Sequence, residues 1–222
     1  MPPDRHALTT NNVAMLLYGL SAVLIGPTLP GMIGTLDLTL GEGGLIGSAQ
    51  NAGGFLGALT ALWVADRLPR PATATASFVL LAGALVAVSF SRAYTGLVLT
   101  FAATGLFIRL LDVMLNAHTG EIAGRRSGRP MSLLHMFFSI GAFAGPLVAR
   151  AIMAAGATWD EVYRYVGLAY LAVVLASSGW LRTYLRSDSA RAPAAPPVQD
   201  RSAAPTHAAP TRTPRATLSV VL

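Results

Sequence analysis

The sequence predicts an all-α integral membrane protein: six transmembrane helices, arranged as two inverted three-helix repeats, with a disordered C-terminal tail. Three observations carry that expectation. The 222 residues are 53% hydrophobic and 12% charged, with a mean hydropathy of +0.55, where a soluble domain carries about 25% charged residues. Six apolar stretches each reach roughly the 20 residues that cross a hydrocarbon core. A glycine-bearing heptapeptide in the second of these stretches is also matched at four of its seven positions in the fifth.

Residues 1–11 read as an N-terminal arm, followed by spans at 12–33, 42–65, 72–91, 95–118, 130–153 and 162–182. The first apolar run is longer than the 7–15 residues of a signal peptide's core and holds Pro27 and Pro30, so it reads as a retained span. The second stacks Gly43, Gly47, Asn51 and Gly54 on one stripe, where small residues let helix backbones approach closely. The third and sixth are plain apolar runs. The fourth carries Arg109 and Asp112 inside otherwise apolar sequence. In the fifth, Pro146 reads as a hinge, since neighbouring helices tolerate a bend there. Residues 183–222 form the tail. Its prolines, alanines and scattered polar residues cannot bury enough apolar surface to offset ordering, which predicts disorder.

Charge sets the expected orientation. All 16 basic residues are arginine. Arg67 and Arg70 fall in one connector, Arg125, Arg126 and Arg129 in another, and Arg5 and the tail arginines fall on the same side. The opposite connectors hold little beyond Arg92. Positive charge stays inside, which places both termini in the cytoplasm, with the chain in a plasma membrane of bacterial type. The same clustering argues against a nucleic-acid partner, because no basic face with interleaved aromatics appears. The absence of cysteine excludes disulfides and thiolate metal sites. An intramembrane protease is excluded as well, since there is neither an H-E-x-x-H run nor a buried serine–histidine arrangement.

The repeated heptapeptide is GGFLGAL, Gly53 to Leu59, and GAFAGPL, Gly141 to Leu147. The second span and the fifth run in opposite directions across the bilayer. Three-helix units repeated with opposite topology are a recurrent plan of secondary transporters.

The fourth span has one polar face. At 100° per residue, Gly105, Arg109, Asp112 and Asn116 lie within about 60° of one another. A lone arginine or aspartate at mid-membrane costs about 2.5–3.5 kcal/mol on insertion scales, and three-residue spacing lets the two pair. Asp112 lies about 9 Å and Arg109 about 14 Å inside the cytoplasmic end of the span, with His135 about 8 Å in from the same side on the next helix, at 1.5 Å per residue. Asp112 is therefore the candidate proton carrier and Arg109 its counter-ion. His135 is positioned to bond either Asp112 or a substrate hydroxyl. Asn116, Gln50 and Asn51 are further polar groups for a hydroxyl-bearing solute. The plainer alternative makes Arg109–Asp112 a static ion pair that locks the bundle, with Gln50 and Asn51 merely linking helices.

Two segments resemble a known family. Ala65-Asp66-Arg67-Leu68-Pro69-Arg70-Pro71 resembles the loop signature between the second and third spans of the major facilitator superfamily, with Ala65, Asp66, Arg67 and Arg70 matching. Leu62, Pro69 and Pro71 depart from it. Asp112, Asn116, His135, Phe138, Gly141 and Gly145 resemble, position by position, the fucose-permease-like sugar symporter branch, as does GPTLPGM in the first span. The likeness covers about residues 10–185. It implies a proton-coupled sugar symporter that needs no cofactor beyond the coupling proton, in which Asp112 joins proton-coupled binding. It also implies that Asp66, Arg67 and Arg70 hold the inward gate against a second half. Members of the superfamily have twelve spans in two halves, so six spans imply an N-terminal half. Such a half pairs with a second six-helix half or with a second copy in the lipid bilayer. The other reading is a non-transporting orphan subunit or a truncated relic.

Overall fold

A computed structural model describes residues 3–64, 67–124 and 128–190. Among these residues the secondary structure is helical, with no strand: α1 Pro3–Ala22, α2 Ile25–Leu36, α3 Leu40–Val64, α4 Arg70–Phe90, α5 Tyr94–Ala123, α6 Gly128–Ala154 and α7 Trp159–Ala190. Four segments are long and apolar enough to cross a membrane: Arg5–Leu36, Ala72–Phe90, Tyr94–Ala123 and Gly128–Ala154. The stretches 42–64 and 162–182 are helical without belonging to that set. α3 has the length, at 25 residues, but its glycines and the Gln50–Asn51 pair dilute its hydropathy.

The helices overrun the spans read from sequence. α1 starts at Pro3, inside the segment read as an arm, and α7 runs to Ala190, inside the segment read as a tail. The remainder of the tail lies outside the described residues. Inside the first span, the chain breaks between α1 and α2 at Val23–Leu24. Pro27 accounts for the position. It has no N–H to give the Val23 carbonyl one turn back, and its ring crowds that carbonyl.

Local chemistry places the ends. Thr39 and Glu42 cap α3 reciprocally: the Thr39 N–H donates to Glu42 Oε2 at 2.8 Å, and the Glu42 N–H to Thr39 Oγ1 at 3.2 Å. α7 opens with half of the same device, the Thr158 N–H donating to Glu161 Oε2 at 2.9 Å. Gly124 and Gly156 take φ of 52° and 97° just beyond α5 and α6, where a side chain would be strained.

Two helix pairs make the closest crossings, α3 with α5 and α1 with α6. In the first pair, a methyl group on Gly53, Gly57 or Gly105 would overlap the carbonyl of Ala102, Leu106 or Gln50 respectively. In the second, Gly141, Gly145 and Gly19 stand in the same relation to Leu16, Leu20 and Phe138. The numbering is regular. Each α6 position follows its α3 counterpart by 88 residues, and each α5 position follows its α1 counterpart by 86. All six contacts obey this rule.

α4 packs along α5 and α7 and is pinned at both ends. At the end carrying the arginine-rich connectors, Arg70 pairs with Glu121 of α5. At the opposite end, Asp160 of α7 accepts from Arg92 at 3.1 Å and lies 3.5 Å from Arg164. The core between them holds Phe78 against Tyr170, ring centroids 4.5 Å apart, and Phe101 edge-on to Tyr163 at 5.6 Å. α2 lies against α3, α6 and α7, with Thr28 and Met32 fully buried and Gly31 packed on Trp159.

Candidate functional site

The α3–α5 crossing also builds the site. Gly105 brings the Gln50 segment of α3 against α5, and one turn further along α5 stands Arg109. Between these helices and α1 lies a cavity of about 440 Å³, lined by Tyr18, Ala22, Gln50, Asn51, Gly54, Phe55, Ala58, Gly105, Ile108 and Arg109. Small residues leave the space open, while Arg109, the two amides and Tyr18 make its wall polar. That mixture of apolar surface and a few convergent polar groups suits a small solute.

Arg109 and Asp112 are paired as the spacing predicts. Arg109 Nη1 donates to Asp112 Oδ2 at 3.0 Å, and Asn116 Nδ2 donates to Asp112 Oδ1 at 2.9 Å. Both carboxylate oxygens therefore have a donor, and the carboxylate's charge is balanced by the guanidinium. Side-chain exposure separates the partners: 49% for Arg109 and 18% for Asp112. Arg109 reaches into the cavity, and Asp112 and Asn116 stand behind it. The polar face of the fourth span is thus layered, with the cation toward the cavity and the acid one step back.

The other residues singled out from sequence divide. Gln50 and Asn51 line the cavity beside Arg109. His135 is exposed on α6, and no hydrogen bond joins it to Asp112 among the described residues. Equal depth does not bring the two together, because helix rise sets depth while the azimuth of each side chain sets contact. Asp66 lies outside the described residues. Arg67 curls back on its own helix, donating to the Trp63 carbonyl at 2.7 Å with its guanidinium 4.4 Å from the Trp63 ring centre. Arg70 finds its acid, Glu121, within this chain.

Two polar features escaped the sequence reading. Tyr18 of α1 forms a cavity wall and packs on Phe138, ring centroids 5.0 Å apart. Its hydroxyl was the available signal, a polar atom inside an apolar span. Near the arginine-rich end, Asn11, His118 and Thr119 are all buried. Asn11 Nδ2 donates to Thr119 Oγ1 at 2.9 Å and lies 3.1 Å from His118 Nδ1, tying α1 to α5. Among the described residues, no group of three or more histidine or acidic side chains is placed to hold a metal ion.

A helical bundle with membrane-length apolar segments, close glycine crossings and a half-open cavity carrying a few polar groups is the build of an integral membrane protein of the transporter class. The sequence model of the Major Facilitator Superfamily matches residues 12–221, and the chain belongs to that family. Membership points to a transporter rather than an enzyme. Among curated proteins, the chain is 25% identical over 137 residues to sodium-dependent glucose transporter 1A of Mus musculus, covering 62% of this chain and 32% of that protein. The chain thus spans about a third of the length of the curated relative it matches.

Proposed function

We infer that this chain forms a six-helix transporter half, built of two inverted three-helix repeats, that moves a small polar solute of the sugar class together with a proton. The observation that carries this reading is Arg109: it lines the cavity beside Gln50 and Asn51 while its guanidinium holds Asp112. Sugar hydroxyls entering the cavity compete for that guanidinium and for the two amides. Solute that draws the guanidinium away leaves the Asp112 carboxylate without its partner, and a proton taken up there in its place links solute to proton. The glucose transporter likeness favours the sugar class. The constant offsets of 88 and 86 residues between the two glycine crossings favour the repeat. The arginine bias favours cytoplasmic termini in a bacterial plasma membrane.

The test is reconstitution. Purified chain in liposomes is offered labelled monosaccharides under an inward proton gradient and, separately, under an inward sodium gradient. Accumulation driven by protons supports the proposal. Accumulation driven by sodium alone replaces the coupling ion. Uptake equal to that of protein-free vesicles under both gradients overturns transport by this chain unaided. The second reading is that it works only with a second six-helix half or another copy. Chemical crosslinking in the membrane tests that directly.

A further inference from the structure

We propose that the cavity at the α3–α5 crossing takes a solute with one carboxylate and several hydroxyls, a sugar acid rather than a neutral sugar. Its proton step rests on the transport reading; its preference for an anion rests on the cavity wall alone. Among the described residues no acidic side chain lines that wall, and its one charged group is Arg109. Asp112 is the less exposed partner, behind the guanidinium.

The polar groups of the wall are largely unspent. Arg109 uses Nη1 on Asp112, while its Nε and Nη2 make no hydrogen bond to protein among the described residues. The same holds for the side-chain amides of Gln50 and Asn51 and for the Tyr18 hydroxyl, all of which line the cavity. Amides that merely linked helices would be bonded across the crossing. A guanidinium with an open edge matches a carboxylate through two parallel bonds, and such charge-assisted bonds are roughly twice as strong as neutral ones. A sugar hydroxyl offers that edge only a neutral acceptor. Hydroxyls are better met by the two amides and the phenol, which both donate and accept. The volume of about 440 Å³ falls within the range of small-molecule sites.

Charge balance selects the same class. Among the described residues Arg109 and Asp112 form an ion pair with each other alone. On the neighbouring helices, Glu42 accepts from Thr39 at the start of α3, Arg70 of α4 holds Glu121, and His135 of α6 makes no bond to the pair. Tyr18 of α1 is within electrostatic reach of both charges. The resting pair sums to zero. An arriving carboxylate takes the Arg109 fork, and Asp112 Oδ2, now without its donor, forms an O–H bond with an incoming proton. Arginine, solute anion and neutral aspartic acid again sum to zero. A neutral sugar entering with a proton would leave one uncompensated positive charge inside the span, which is costly. A sugar phosphate brings nearly two negative charges and overshoots. One proton therefore accompanies each monoanion, and no net charge crosses the membrane.

Labelled D-glucuronate and D-glucose are the probes, offered to the full chain in liposomes for binding and for flux. The parent should bind the acid about tenfold more tightly than glucose, the worth of one charge-assisted hydrogen bond. Arg109→Gln should abolish that preference. Arg109→Lys keeps the charge without the fork and should retain part of it, which guards against a variant that fails to fold. Propionate, a carboxylate without hydroxyls, should compete far less well than glucuronate. Proton-driven glucuronate uptake should be indifferent to an inside-negative potential set with potassium and valinomycin. The assignment is overturned if the parent fails to bind glucuronate, binds glucose as tightly, or binds propionate as tightly. Unchanged preference in Arg109→Gln overturns it too, and uptake stimulated by the potential overturns the charge balance. Tight binding of the acid without flux sinks the transport reading and leaves the assignment standing. Proton-driven glucose flux that glucuronate does not inhibit does the reverse.

Discussion

Gly105 of α5 lies directly on the backbone carbonyl of Gln50 in α3, with no room for a side chain between them. Gly19 of α1 meets Phe138 of α6 in the same way. The first contact sets how near the amides of Gln50 and Asn51 come to Arg109, so helix packing and the shape of the cavity share one residue.

Gly105→Ala should therefore destabilise the bundle and displace the cavity wall together. Overpacking of this kind costs about 1–3 kcal/mol. Gly83 on α4 is the control, because a Cβ there meets nothing within 4 Å. Gly83→Ala should be neutral or stabilising by up to about 1 kcal/mol, since alanine is the better helix former. Thermal unfolding in detergent separates the two; equal melting temperatures would show that the crossing is not tight.

The Arg109–Asp112 pair should behave as a coupled unit. Arg109→Ala leaves the Asp112 carboxylate inside the span with only Asn116 as donor, a loss on the order of 2 kcal/mol. Removing both charges should recover much of it, because no charge remains unbalanced. A double-mutant cycle of melting temperatures measures the coupling. Additive effects would mean that the two side chains act independently.

Acid should loosen the end of the bundle where Asp160 sits. Burial acts to raise the Asp160 carboxyl, but hydrogen bonds from Thr158 and Arg92 outweigh it together, and the carboxyl is held below the usual aspartate range. A carboxyl lowered in the folded state contributes stability that is fully present above its unfolded value and is lost as pH falls through the folded one. The melting temperature of the parent should thus drop below about pH 4, around and under the ordinary aspartate value, and drop less in Asp160→Asn, which starts lower. Parallel pH profiles would remove Asp160 from the balance.

The helical framework was legible because lipid demands length and apolarity that composition displays directly. The Arg109–Asp112 pair was legible because three-residue spacing on one helix is local. The repeated glycines in α3 and α6 were visible for the same reason, though their acceptor carbonyls were not. What stayed hidden depends on contacts between distant segments. Tyr18 lines the cavity beside Gln50 and Arg109, which come from segments more than thirty and ninety residues away. The Tyr163 and Tyr170 hydroxyls find Thr28 and Ser21 more than a hundred residues away. His135 shows the limit most clearly: helix rise gave its depth, and nothing in a single sequence gave the direction of its ring.

The most direct test of the central claim is proton-gradient-driven uptake by the parent and by Asp112→Asn, reconstituted at equal protein content. The substitution keeps an oxygen for Arg109 to donate to while removing the group that takes up a proton. Gradient-driven accumulation should fall to the level of protein-free vesicles, with the variant still folded and inserted. Undiminished accumulation in Asp112→Asn would contradict the account, leaving the pair as architecture alone.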